Sequence, residues 1–200
     1  MSLVMNGINP DAKRHPDDFY VTEPRAVIEL MEALGSLKIE LPPLVVDSSV
    51  GSGVIADAVQ LYGHDVIGYD VEDRGWAGTR LQDFLTVKAP DLPQNFAIIQ
   101  NPPFRLALDF IRHGLDLLPE DGVLCSFERI SFLEGACRRE FFDRTPPAYV
   151  MPFTRRVKCA VDGSAVKAGS AICFAWFVWI KGRTDRPQIV WLDQTKKPAE

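Results

Sequence analysis

The sequence predicts an α/β fold built on a single doubly wound, mostly parallel, seven-stranded Rossmann-like sheet with helices on both faces. Three observations carry this expectation. Buried-type strands alternate with helical patterns along the chain. The first strand runs into a glycine-rich turn and a helix, the opening unit of nucleotide-binding folds. A rigid Asn-Pro-Pro-Phe turn at 101–104 ends an apolar strand, at the sheet edge where such folds place ligands.

In chain order, residues 1–17 are polar, with Asn9-Pro10 and His15-Pro16 and no periodic apolar face, and read as an N-terminal arm. The domain spans 18–192, and 193–200 forms a C-terminal tail with no separate target-recognition domain. A helix is expected from Pro24 to about Leu34, with proline in its first turn and Val27, Ile28, Leu30, Met31 and Leu34 as its apolar stripe. Phe19 and Tyr20 just before it suit a hydrophobic staple. Leu44–Asp47 is a short buried strand, followed by Ser48-Ser49-Val50-Gly51-Ser52-Gly53 and a helix from Val54 to about Tyr62. Two glycines let the backbone approach a ligand closely, yet the longer dinucleotide fingerprint is absent, which argues against NAD.

Asp65–Asp70 is the second strand and ends in an acid at about the interval expected of a ribose-binding carboxylate. A carboxylate accepts from two vicinal hydroxyls at once, and the same position also suits an Asp that caps the next turn. Phe96–Gln100 is the catalytic strand. A helix with Leu106, Ala107, Phe110, Ile111, Leu115 and Leu118 on its apolar face follows, then a buried strand at Val123–Phe127. A charge-rich helix from Glu134 to Asp143, a short strand at Ala148–Phe153, an aromatic strand at Ala171–Ile180 and an edge strand at Gln188–Leu192 complete the sheet.

The chemistry centres on Asn101-Pro102-Pro103-Phe104. Two prolines lack N–H groups and fix φ, so they end the strand and present the flanking side chains outward. The Asn amide oxygen accepts from an amino group while the Phe ring supplies a flat π surface, a pairing suited to a planar, amino-bearing substrate. Taken alone, the same turn is also an ordinary proline-rich loop.

Composition narrows the class. Of 200 residues, 46% are hydrophobic and 24% charged, ordinary for a globular chain. No cleavable-signal pattern opens it, and the longest apolar run, 171–180, is about half of a membrane span; a cytoplasmic protein is expected. Four cysteines lack ligand spacing and three histidines are scattered, so no metal site is expected. The net charge of −5 hides an asymmetry: residues 1–128 carry nine Lys and Arg against 20 Asp and Glu, whereas 129–167 carry eight against four. Arg138, Arg139, Arg144, Arg155, Arg156 and Lys158 are therefore candidate phosphate contacts, or else a solvated helix face and loop.

The Asn-Pro-Pro-Phe motif after an apolar strand resembles the catalytic motif of class I S-adenosylmethionine-dependent amino-methyltransferases, the group containing DNA adenine and cytosine amino-methyltransferases. The Phe19-Tyr20-x-Thr22-x-Pro24 run is similar to the segment by which many of them close over the methionine end of the cofactor. Asp47-x-x-x-Gly51-x-Gly53 follows the family's acid and glycine pattern, although Ser48 stands where a proline is usual. The resemblance implies S-adenosyl-L-methionine as cofactor, with Asp47 near its amino group, Gly51 and Gly53 along its methionine portion and Asp70 on the ribose. It further implies Asp83 on the adenine amino group, with Phe84 or a neighbour against the ring. Ala175-Trp176-Phe177-Val178-Trp179 resembles the C-terminal strand of small phage-type and bacterial adenine methyltransferases, in which Trp176 or Phe177 lines the target pocket; tryptophans in a buried strand also simply pack.

The order of these motifs, from 18 to 180, implies methyl transfer to the exocyclic amino group of adenine in DNA. Asn101 and the Pro102 carbonyl would hold the amino nitrogen and Phe104 would stack on the base, with Arg155, Arg156 and Lys158 near the acceptor. RNA or a protein glutamine is the alternative acceptor. An inactive cofactor-binding or assembly module is the alternative of another class. Target selection would fall to the loop at 129–167, a homodimer or a partner.

Overall fold

The computed structural model describes residues 20–157 and 172–193. The arm expected at 1–17, Phe19, Lys158 and all but the first residue of the expected tail lie outside them. Helix α1 (Pro24–Ser36) starts on proline, whose missing N–H is no loss at a helix start, and ends where the Leu37 and Lys38 amides fold back onto the carbonyls of Ala33 and Gly35. Strand β1 (Leu44–Asp47), helix α2 (Val54–Gln60) and strand β2 (Asp65–Asp70) follow. Then come β3 (Thr79–Leu81), β4 (Ala97–Gln100), α3 (Ala107–Leu117), β5 (Val123–Arg129), α4 (Ala136–Arg144), β6 (Tyr149–Pro152), β7 (Phe174–Ile180) and β8 (Gln188–Ile189).

Among the described residues the sheet has eight strands in the order β3-β2-β1-β4-β5-β7-β6-β8, one more than the sequence predicts. The addition is β3, three residues pairing parallel to β2 through Gly68, Tyr69 and Asp70. Its Thr-Arg-Leu is too short to show a period. The strands from β3 to β5 run parallel, β7 pairs antiparallel with both β5 and β6, and β8 is a parallel edge beside β6.

Alternation along each strand divides the core in two. Val45, Ile99, Cys125, Phe127, Met151 and Trp176 face α1 and α2, while Val46, Ile98, Leu124, Val150, Phe177 and Trp179 face α3. Covered on both faces, these strands read as unbroken apolar runs. Trp176 and Phe177 are both fully buried, one in each core layer. Trp176 Nε1 donates to the Ala26 carbonyl of α1 at 2.8 Å, and the Phe177 ring packs on Phe132 and Trp179. The expectation that one of them lines a target pocket is corrected: the helices on both sides of β7 take up these rings. Of the cysteines, Cys125 is buried and its thiol is pushed far up by desolvation, whereas Cys137 and Cys173 are exposed.

Truncating a fully buried aromatic removes apolar area and leaves a cavity, so Trp176→Ala is expected to lower unfolding stability by about 3–5 kcal/mol. Urea unfolding checks this; a loss below about 1 kcal/mol would show that the ring is not a core element.

Candidate active site

The C-terminal ends of β1, β2 and β4 open into a cleft of about 270 Å³. Its wall begins with the turn after β1. The Val50 amide donates to the Tyr69 carbonyl at 2.8 Å and the Gly51 amide to Asp70 Oδ2 at 2.9 Å, tying the turn to the end of β2. Asp70 Oδ1 accepts from the Glu72 amide at 3.0 Å, and Arg74 bridges to Glu72 at 3.0 Å. Each Asp70 oxygen uses one acceptor site on the backbone and keeps capacity for a further donor. The opposite wall is the turn after β3, where Asp83 Oδ1 caps a short 3-10 helix through the Leu85 amide at 3.0 Å. Phe84 lies beneath it, buried and stacked on Phe110 with centroids 5.8 Å apart.

The third wall joins the Asn-Pro-Pro-Phe turn to the chain's N-terminal segment. Asn101 Nδ2 donates to the Tyr20 carbonyl and to Thr22 Oγ1, both at 2.9 Å. A backbone carbonyl only accepts, so the amide nitrogen must face Tyr20. The Asn101 oxygen is thereby turned away from these partners and keeps its acceptor sites. The Tyr20 ring packs on Phe104 at 5.4 Å. Pro103 accepts from the Leu106 amide at 2.8 Å, which turns the chain directly into α3.

Beneath the cleft runs a buried polar chain that the sequence reading did not identify. Ser48 Oγ donates to Gln100 Oε1 at 2.6 Å, Gln100 Nε2 to Ser126 Oγ at 3.2 Å, and Ser126 Oγ to Glu128 Oε1 at 2.7 Å. It links the ends of β1, β4 and β5 one residue before Asn101. Ser48 supplies the hydroxyl that starts this chain. A polar Gln closing an apolar strand was the available signal.

Asp47, Gly51, Asp70, Asp83, Phe84, Asn101, Tyr20 and Thr22 all lie around this region, though not all face it. Tyr20, Thr22, Gly51, Asp70, Asp83, Phe84, Asn101 and Pro103 line the cleft. Asp47 does not: it is fully buried, its Oδ1 accepts from the Ser49 amide at 3.2 Å and its Oδ2 has no partner among the described residues. Desolvation raises its pKa to about 7, with Asp70 adding to the rise and the Ser49 bond opposing it.

Gly53 is also turned away from the cleft. It adopts φ +88°, and an added Cβ would lie 2.1 Å from Cδ1 of Trp76. The indole lies across Gly53, Gly68 and Gly78 and donates from Nε1 to Asp57 at 3.0 Å. The expectation that Gly53 runs along a ligand is thus corrected: a side chain 23 positions away occupies the space that the missing Cβ leaves. Ser48, Val71, Arg74, Gln82 and Arg105 line the cleft without having been singled out for it, and Glu72, two residues beyond Asp70, lines it as well.

The basic candidates divide. Arg138 donates to the carbonyls of Ser131, Phe132 and Glu134, and Arg139 and Arg144 pair with Asp143 and Glu140 along α4. These three secure α4 and the turn before it. Arg155 and Arg156, beyond β6, are exposed.

The donor set fits S-adenosyl-L-methionine: carboxylates for vicinal hydroxyls and for cationic groups, and apolar Val71 and Phe84 for a flat ring. The chain has the Rossmann-like fold of the S-adenosylmethionine-dependent methyltransferases. It is similar to a type I restriction-modification methyltransferase subunit from Streptococcus thermophilus at 16% identity and a TM-score of 0.62, covering 88% of this chain and 47% of that one. It thus spans about half the length of that subunit. A protein from Pyrococcus horikoshii described as a candidate RNA methyltransferase matches at 16% identity and TM-score 0.58, over 81% of this chain and 86% of that one. An S-adenosylmethionine-dependent O-methyltransferase from Thermotoga maritima matches at 12% and 0.53, over 84% and 69%. A scan of protein-family models finds no match, and neither does a search of the curated proteins.

Two outcomes test the site's construction. The raised pKa of Asp47 means that the folded state holds its proton more tightly than the unfolded chain. Its destabilising effect is therefore absent below about pH 3.8, grows as pH rises to about 7 and is constant above. Asp47→Asn is expected to be more stable than the parent at pH 8, by on the order of 4 kcal/mol, with the gap closing near pH 4. Denaturation at both pH values checks this, and a pH-independent gap would contradict it. Gly53→Ala is expected to destabilise by about 2 kcal/mol or more, from left-handed strain plus displacement of the indole. Trp76→Ala in the same chain should recover part of that loss in thermal unfolding, whereas simple additivity would disprove the contact.

Proposed function

We propose that this chain is an S-adenosylmethionine-dependent methyltransferase acting on an exocyclic amino group, with adenine N6 in DNA as its acceptor. The observation that carries the reading is the orientation of Asn101. Its donor end is committed to Tyr20 and Thr22, so an acceptor is what it offers an incoming amine. An amine conjugated to a heterocycle is a weak nucleophile, because its lone pair is delocalised into the ring. Hydrogen bonds accepted by Asn101 Oδ1 and the Pro102 carbonyl hold that nitrogen nearer tetrahedral and aim its lone pair. When bound, S-adenosylmethionine would supply an electrophilic methyl group on a sulfonium, so that an N–CH₃ bond would form as the S–CH₃ bond broke and one amine proton would leave to water. Alignment is then the main task of the protein.

Asp70 and Glu72 would hold ribose hydroxyls, Asp83 an adenine amino group, and Val71 and Phe84 the adenine faces. Gly51, whose amide is already tied to Asp70, shapes the turn beside the methionine portion, and Asp47 favours a cation nearby from beneath it. Phe104 supplies the stacking surface for the acceptor base. For duplex DNA the base must leave the helix first, and exposed Arg155 and Arg156 supply charge for the flanking phosphates. Among the described residues no helix is long and apolar enough to cross a membrane, and a cytoplasmic enzyme is part of the proposal. Likeness to a restriction-modification methyltransferase subunit is in keeping with a DNA acceptor.

Labelled methyl transfer to unmethylated DNA, with nucleosides resolved by mass spectrometry, is expected to yield N6-methyladenine. Label on RNA or protein glutamine alone would replace the acceptor, and cofactor binding without transfer to any acceptor would favour an inactive binding module. Asn101→Ala is expected to lower kcat by at least about a hundredfold, the scale of losing a preorganised polar contact at the reacting centre. Calorimetry should show cofactor binding within a few-fold of the parent, and undiminished transfer would refute the assignment.

A further inference from the structure

The base-stacking surface of Phe104 already carries a planar group. The Arg129 guanidinium lies over the ring with Cζ 4.4 Å from its centroid. Phe104 is bordered by Tyr20 at 5.4 Å and Phe174 at 5.8 Å, and Arg129 sits directly opposite Phe174 in the β5–β7 register. The Arg129 Nε is buried, and it has no hydrogen-bond partner among the described residues. A buried N–H without an acceptor is costly to keep, so an acceptor brought within its reach is favoured.

We propose that Arg129 is a recognition residue for the acceptor, holding the face of Phe104 until a base displaces it and then donating to the ring nitrogen beside the reacting amine. The proposal rests on the amino-transfer reading and deepens it. A base cannot stack where the guanidinium lies, because both need the same separation from the ring. Base entry therefore exchanges a cation–π contact for base stacking of comparable strength. The guanidinium moves to the edge of the base, where its Nε–H gains the acceptor it lacks. Asn101 accepts and Arg129 donates, a pair complementary to an N–H₂ next to an unprotonated ring nitrogen. Arginine suits both states, since its planar guanidinium stacks on aromatic faces and its donors are fixed in direction.

This pairing selects aminated heterocycles of amidine type. It disfavours an amine on an all-carbon ring edge, and it distinguishes a nucleobase from the flexible amide of glutamine, which offers no face to Phe104. In adenine the amine is flanked by N1 and N7, and the proposal requires that one of these is read.

The test uses the full chain and oligonucleotides carrying adenine, 1-deazaadenine or 7-deazaadenine at the target, with Arg129→Ala and Arg129→Lys beside the parent. The parent should lose about 10- to 100-fold in kcat/KM on one of the two deaza analogues, the range of a lost charge-assisted hydrogen bond. In Arg129→Ala that discrimination should fall below about threefold, and Arg129→Lys, which keeps the charge and loses the planar fork, should not restore it. Cofactor binding measured in each variant confirms that it is folded. Equal losses on all three substrates, or discrimination that survives in Arg129→Ala, would overturn the assignment. If the parent transfers methyl to no nucleobase at all, the amino-transfer reading itself fails and the role of Arg129 falls with it.

Discussion

The site depends on two hydrogen bonds that fasten one carboxamide. Asn101 Nδ2 reaches back 81 residues to the Tyr20 carbonyl and 79 to the Thr22 hydroxyl. Each bond is individually worth about 1 kcal/mol, yet together they remove the two-fold ambiguity of an amide and leave one chemical meaning at its other end. They also bring the segment before α1 onto the C-terminal edge of the sheet, so that Tyr20 closes the cleft and packs on Phe104. Without this clamp the Asn-Pro-Pro-Phe turn would still form, because its prolines are locally determined, but its amide would rotate.

Support from below is of a different kind. Ser48, Gln100, Ser126 and Glu128 are buried and joined in one donor-to-acceptor sequence across three strands. Buried polar groups are costly when left unpaired and restrict geometry when satisfied. Here the chain spans the ends of β1 and β4, whose following turns line the cleft, and the end of β5 beside them. The Ser48 hydroxyl thereby couples the glycine turn to the end of β4.

Trp76 performs a comparable task on the outer side. Its indole fills the space over three glycines and fixes itself to Asp57 at the start of α2. The glycine pattern of the first turn is therefore divided in its use. Gly51 belongs to the cleft and Gly53 to this packing contact, although both have positive φ.

Local rules sufficed for much of the molecule. The positions of the helices and of every strand but β3, the proline start of α1, the glycine turn after β1 and the sheet-edge position of Asn101 follow from periodicity and turn chemistry, which act over a few residues. Acids at the ends of β1 and β2 were legible for the same reason. What the sequence alone left open is which side chains face the ligand. Asp47 and Asp70 end adjacent strands, yet one is sealed beneath the turn and the other lines the cleft. Trp176 and Phe177 read equally as pocket or core, and the covering helices made both core. Arg129, Trp76 and the polar chain from Ser48 carry no periodic signature, because each acts on residues that meet it only after the sheet has assembled. Local order is written in neighbouring residues, whereas exposure and partnership are set by contacts between residues distant along the chain, and only the tertiary structure decides those.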